Sequence, residues 1–156
     1  NNQDYYIDDN GGIMPNSQYI SNLMIATGHI SKQYATQYIS VIARYLMQDE
    51  LWSKEIEQIN VTPDLHVELV PRNAEHVVNI GRMPKINNTL SPSKRNEELN
   101  NYLKHQLSRL ELFYRYVPQT LNGAVPRDTS NTLNSLYSYI NLEYNNQIIC
   151  QRRTSL

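Results

Sequence analysis

Ile56-Glu57-Gln58-Ile59-Asn60-Val61, Leu65-His66-Val67-Glu68-Leu69-Val70 and His76-Val77-Val78-Asn79-Ile80-Gly81 are three runs with a period of two. In the second run Leu65, Val67 and Leu69 alternate with His66, Glu68 and Val70. In the third His76, Val78 and Ile80 alternate with Val77 and Asn79. Successive side chains of a strand point to opposite faces, so each run reads as a strand with two distinct faces. Pro63-Asp64 and Arg72-Asn73-Ala74 supply the turns. The expectation is a three-stranded antiparallel meander.

Upstream, residues 4–9 read as a short strand and Asn10-Gly11-Gly12 as a turn, since glycine adopts positive φ at little cost. Tyr19 to Ala26 is a further extended run, closed by Gly28. Ser31 is a candidate N-cap, and Tyr34, Ala35, Tyr38, Ile39, Ile42, Tyr45 and Leu46 then recur at helical spacing. That spacing predicts a helix over 32–48 with its tyrosines packed in the core. Downstream, 83–92 is a loop, and Ser91-Pro92 fits an N-cap with proline at the first helical position. Leu99, Tyr102, Leu103, Leu107, Leu110 and Tyr114 predict a long helix over 93–116, stopped by Pro118. Residues 118–134 read as a polar loop. Ser135 to Tyr144 reads as a strand, Asn145-Asn146 as a tight turn, and Gln147 to Gln151 as a final strand. The fold class is α+β, a mostly antiparallel sheet with two main helices on one face.

The 156 residues carry 14 bases and 15 acids, a formal charge of −1, which argues against a nucleic-acid binder. One cysteine, Cys150, excludes an internal disulfide and any cysteine-based zinc site. The chain begins Asn1-Asn2-Gln3, and no apolar run approaches the ~18 residues needed to span a bilayer. It reads as a soluble piece of a longer protein.

The four histidines, His29, His66, His76 and His105, are widely spaced, and no nucleophile, phosphate-loop or metalloprotease motif is present. His66-Val67-Glu68 matches half of a zinc-deaminase signature whose other half needs two cysteines. His66 and Glu68 share a strand face, expected to be the solvated one. His66 and His76 are a conceivable cross-strand pair that lacks a third metal ligand. No catalytic group, metal or cofactor is called for.

What remains is a surface. The last strand comes at the end of the chain and, unless it inserts between earlier strands, forms an edge. An apolar edge such as Gln147-Ile148-Ile149-Cys150 is a template for another chain's strand. A loop or linker covering it is the other possibility. A second reading of the 12 tyrosines is a carbohydrate-stacking or adhesion module.

Glu57-Gln58-Ile59-Asn60-Val61-Thr62-Pro63-Asp64, Val67-Glu68-Leu69-Val70-Pro71-Arg72 and Val77-Val78-Asn79-Ile80-Gly81 resemble the central meander of the FtsQ/DivIB cell-division family. Tyr139-Ile140-Asn141-Leu142-Glu143-Tyr144-Asn145-Asn146-Gln147-Ile148-Ile149-Cys150 is similar to the family's closing hairpin, with a Bacteroidetes-type flavour. Tyr6-Ile7-Asp8-Asp9-Asn10-Gly11 resembles the stretch where a preceding POTRA domain hands over. The resemblance implies that residues 1–14 end a POTRA domain or linker and that 15–156 form the FtsQ-type β domain. It implies a periplasmic domain of a single-pass inner-membrane protein, without enzymatic activity. It also implies FtsB-like and FtsL-like partners bound by strand addition at the last strand. The partner-binding set carried over is Tyr144, Asn145, Asn146, Gln147, Ile148, Ile149, Cys150, Gln151 and Arg152. Tyr144 matches the family's tyrosine before the turn and Asn146 its small polar turn residue. Arg152 stands where the family has an aromatic residue, and Asp64 falls near a position that is basic in some members. Self-pairing through the same edge is a further expectation.

Overall fold

The computed structural model describes residues 5–7, 12–14, 24–122 and 136–154, with the backbone alone for 118–122. The expected turn at 10–12 and the runs at 19–26 and 135–144 fall partly outside these residues. So does most of the expected loop at 118–134.

The described strands form one sheet in the order β2-β1-β3-β4-β5-β6-β7-β8. They are β1 (Tyr5–Ile7), β2 (Ile13–Met14), β3 (Met24–Gly28), β4 (Ile56–Val61), β5 (His66–Pro71), β6 (Val77–Arg82), β7 (Tyr137–Asn141) and β8 (Ile149–Arg152). The meander β4-β5-β6 is antiparallel, as its period-two runs predict. Two pairings are parallel, β3 with β4 and β6 with β7. Each needs a crossover, and a helix supplies it both times.

The first crossover is α1 (Lys32–Tyr34), a π segment (Ala35–Ile39), α2 (Ser40–Gln48) and the short α3 (Trp52–Glu55). Ser31 caps α1, its hydroxyl accepting the Tyr34 N–H at 3.0 Å. The widened π turn departs from the regular helix expected over 32–48. Within that stretch the Tyr34 and Tyr38 rings lie 4.7 Å apart. Tyr34 is buried; Tyr38 and Tyr45 are half-buried against the core, and Tyr38 Oη accepts the Ile86 N–H at 3.1 Å. The tyrosine stripe is therefore core, with one ring also holding the following loop. Helix α3 is not foreshadowed by any apolar period. It starts where Asp49 Oδ1 accepts the N–H groups of Leu51 and Trp52.

The second crossover, α4 (Pro92–Asn122), runs past Pro118. That corrects the expected stop. A helical proline forfeits one N–H bond and strains one turn, and here the backbone turns on for four more residues. Leu99, Leu103, Leu107 and Leu110 of α4, with Ile39, Ile42 and Leu46, are buried on one face of the sheet. A second correction concerns Leu65. It is exposed rather than on the core face, because it sits in the turn with φ of +66° and its N–H donates to the Thr62 carbonyl at 2.9 Å.

Strand register arranges the sheet as two rows. On the helix face Ala26, Ile59, Leu69, Val78, Ile140 and Cys150 face one another across β3 to β8. On the far face the matching row is Thr27, Asn60, Glu68, Asn79, Asn141 and Ile149. One residue of slip in any strand would exchange the rows, so register is strongly set.

Gly28 ends β3 at φ +98°, and a Cβ there would fall on the Val61 carbonyl oxygen. Gly28→Ala should therefore lower the unfolding free energy by at least about 2 kcal/mol in urea titration. An unchanged midpoint would show that the β3–β4 junction relaxes freely.

Candidate functional site

β8 closes the sheet order, and no strand pairs with its outer side among the described residues. It is antiparallel to β7, with Asn141 opposite Ile149, Ile140 opposite Cys150, Tyr139 opposite Gln151 and Tyr137 opposite Arg152. The final strand is thus shifted relative to the expected 147–151. Asn145 and Asn146 form the expected turn, and Tyr144, Gln147 and Ile148 flank it outside the ladder.

The Arg153 N–H donates to the Leu136 carbonyl at 3.0 Å. In an antiparallel ladder, alternate residues direct both N–H and C=O to the same neighbour. Counting back by two, Gln151 and Ile149 turn their backbone groups to β7. Cys150 and Arg152 turn theirs to the open side. The side chains sort the other way. Cys150 and Ile148 are half-buried against the core, while Ile149 is 47% exposed.

A helix holds the turn that starts this edge. Past Asn79 and Asn141 the β6–β7 ladder ends, and the carbonyls beyond it need other donors. Gln106, 1% exposed in α4, gives its amide N–H groups to Ile80 O at 2.9 Å and Leu142 O at 2.8 Å. Tyr102 Oη donates to Ile80 O at 2.6 Å. Gly81 lets that ring in, since a Cβ there would sit 2.7 Å from Tyr102 Oη. Arg109 then spans the hairpin. Nη1 donates to Leu142 O and Gln106 Oε1, both at 2.8 Å, and Nη2 to Tyr144 O at 2.6 Å and Gln147 O at 3.1 Å. The planar fork of arginine reaches all four acceptors at once.

On the far face, polar side chains satisfy one another. Gln58 Nε2 donates to Thr27 Oγ1 at 2.7 Å, Asn60 Nδ2 to Glu68 Oε1 at 2.7 Å, and Tyr139 Oη to Glu68 Oε2 at 2.8 Å. Burial first, and the bond to Glu68 next, push the Tyr139 hydroxyl pKa up. His66 Nε2 lies 3.1 Å from Glu143 Oε1, near enough for an ion pair but off the hydrogen-bonding line. The His66 side chain is 16% exposed. This corrects the expectation of a solvated His66–Glu68 pair, because the facing amides and Tyr139 cover both. His66 pairs with Arg82 across β5–β6, so His76 is not its neighbour. His76 is buried, 2.7 Å from Tyr114 Oη. Among the described residues no group of three or more His, Cys, Asp or Glu is placed to hold a metal. No helix among them is long and apolar enough to cross a membrane.

A family model described as FtsQ/DivIB, C-terminal related, matches residues 1–115. The chain belongs to that family. Membership connects it with cell division, in a family of non-enzymatic, membrane-anchored scaffold proteins. Among curated proteins none matches the chain. The matched stretch includes the meander and both clamp residues, Gln106 and Arg109, and stops before β7 and β8. In this FtsQ/DivIB-type domain the edge strand is thus read from the structure and not from the match. Gln106 and Arg109 escaped sequence reasoning. The available signal was a polar Gln106 at a core position of an otherwise leucine-lined helix.

Arg109→Ala strips donors from Leu142, Tyr144 and Gln147, and should cost about 2–3 kcal/mol in chemical denaturation. Arg109→Lys should recover less than half of that, as an ammonium cannot make the fork. Equal stability of all three proteins would contradict the clamp. Burial pushes the Cys150 thiol above its ordinary pKa. Only the thiolate reacts, so alkylation of the folded domain at pH 8 should be several-fold slower than of the urea-unfolded chain. Equal rates would place Cys150 free in solvent.

Proposed function

We propose that the domain is a non-catalytic periplasmic scaffold of the division machinery that binds FtsB-like and FtsL-like partners by adding a partner strand to β8. The observation that carries this reading is the outward pair of backbone groups at Cys150 and Arg152, on an edge held in place by Arg109. Backbone pairing supplies register, and alternate side chains supply selectivity. The binding set is Tyr144 to Arg152, in which the turn residues Tyr144, Asn145 and Asn146 sit exposed beside the start of the strand. Residues 1–14 are assigned to the end of a preceding POTRA domain or linker, and 15–156 to the β domain; β1 and β2 continue the same sheet. One membrane span in the parent protein would anchor the domain at the inner membrane.

The carbohydrate reading depends on exposed tyrosines around a pocket. Tyr34, Tyr38, Tyr45, Tyr102 and Tyr114 instead pack in or against the core. Of the described tyrosines, Tyr116 and Tyr144 are exposed.

Cys150→Pro removes an outward donor, while Cys150→Ala keeps it and removes the thiol. Titrating each with the periplasmic segment of the same organism's FtsB-like protein, alone and with its FtsL-like mate, tests the reading. Wild type and Cys150→Ala should bind saturably, and Cys150→Pro should lose at least tenfold in affinity, or about 1.4 kcal/mol. Absence of wild-type binding to both segments would overturn it.

A further inference from the structure

The apolar row across the sheet is unfinished at β8. Ala26, Ile59, Leu69, Val78 and Ile140 are all 0% exposed, whereas Cys150, the sixth member, is only half-buried. Ile140 lies on one side of Cys150, and no strand lies on the other among the described residues. Helix α4 passes along this flank. Arg109 meets the turn at Tyr144 and Gln147, and one turn on, the Phe113 ring is 6.3 Å from that of Tyr137, the residue opposite Arg152. Leu112 and Tyr116 follow Arg109 on the same helical stripe. They are 52% and 54% exposed. Arg109 and Phe113 thus set α4 over the helix face of the closing hairpin, the face that Cys150 shares.

Arg152 adds charge to this face. It is two residues from Cys150, is exposed, and makes no ion pair among the described residues. Arg153, by contrast, pairs with Glu75 at 3.3 Å. A strand laid against β8 therefore meets two unlike neighbours on the helix face, an apolar step at Cys150 and a cation at Arg152 without an ion pair among the described residues, with Leu112 and Tyr116 exposed on the helix that covers this face. The side chain between those positions points to the far face, beside Ile149 and Gln151.

We propose that the strand accepted by β8 carries an apolar residue and an acidic residue two positions apart, the first packing on Cys150, Leu112 and Tyr116 and the second pairing with Arg152. This rests on the strand-addition reading and names the chemistry of its partner. A polar residue at the first position would be desolvated without a hydrogen-bonding partner. A second copy of β8 is the poorer occupant. It would bring another Arg152 to the same face, and like charges across a strand pair repel.

Panning a displayed library of random ten-residue peptides on the domain tests the proposal. Enriched peptides should share an apolar residue two positions from Asp or Glu, in either direction. The Leu112→Ser/Tyr116→Ser double variant, altered only at exposed positions, should bind them about tenfold more weakly. Arg152→Glu should shift the selected charge to Lys or Arg. No enrichment, enrichment without the spacing, or full affinity in the double variant overturns the proposal. The Cys150→Pro domain separates the two levels. Peptides that it loses, yet that ignore Leu112, Tyr116 and Arg152, overturn this inference and leave strand addition standing. Peptides that it binds as tightly as wild type does sit off the edge, and overturn strand addition as well.

Discussion

Four carbonyls at the end of the β6–β7 ladder, those of Ile80, Leu142, Tyr144 and Gln147, depend on the side chains of one helix. Gln106 takes the first two, and Arg109 takes the last three, sharing Leu142. A hydrogen bond to a charged donor contributes about 1.5–3 kcal/mol, and leaving such an acceptor unpaired costs a comparable amount. Two adjacent turns of α4 therefore decide whether the closing hairpin has one conformation or several. A two-strand hairpin alone is marginal in water. β8 owes its order to β7 on one side and to this helix above, and among the described residues no strand takes up its outer backbone groups.

The two rows explain why the edge lies where it does. Each strand from β3 to β7 has a neighbour on both sides, and each row residue from β4 to β7 is covered by two others. The apolar row sits under the helices and the polar row satisfies itself with amides, Glu68 and Tyr139. Both rows reach β8 and stop. A sheet ending at a polar, charged or bulged strand is protected against pairing. This one ends at Ile149 and Cys150, with a register shift in β7 opposite Gln151 and Arg152, and charge arriving only at Arg152 and Arg153.

Much of this architecture was readable in the residues. The meander followed from alternation bounded by turn chemistry, which is local. The first helix and the cap at Ser31 followed from spacing, and the terminal edge from chain order. The parallel pairings of β3 with β4 and β6 with β7 were not readable, because the partner strands are set by crossovers dozens of residues long. The π segment was hidden because tyrosine and alanine at helical spacing look alike in either helix. Leu65 misled because an apolar residue next to a strand resembles one inside it. His66 and Glu68 misled because charge on a strand suggests solvent, whereas facing amides can cover it. The candidate edge was foreseen, but its inward and outward alternation needed the Arg153–Leu136 bond, and its anchor Arg109 needed the helix docked.

A helix-clamped β8 is proposed to offer the backbone groups of Cys150 and Arg152 to a partner strand. Residue-resolved amide hydrogen exchange of residues 149–152, in the free domain and with the FtsB-like periplasmic segment, tests it most directly. Slow exchange is expected at Ile149 and Gln151 and fast exchange at Cys150 and Arg152 in the free domain, with the fast pair slowed when the segment binds. Uniform exchange across the four amides, or protection by the segment that bypasses Cys150 and Arg152, would contradict it.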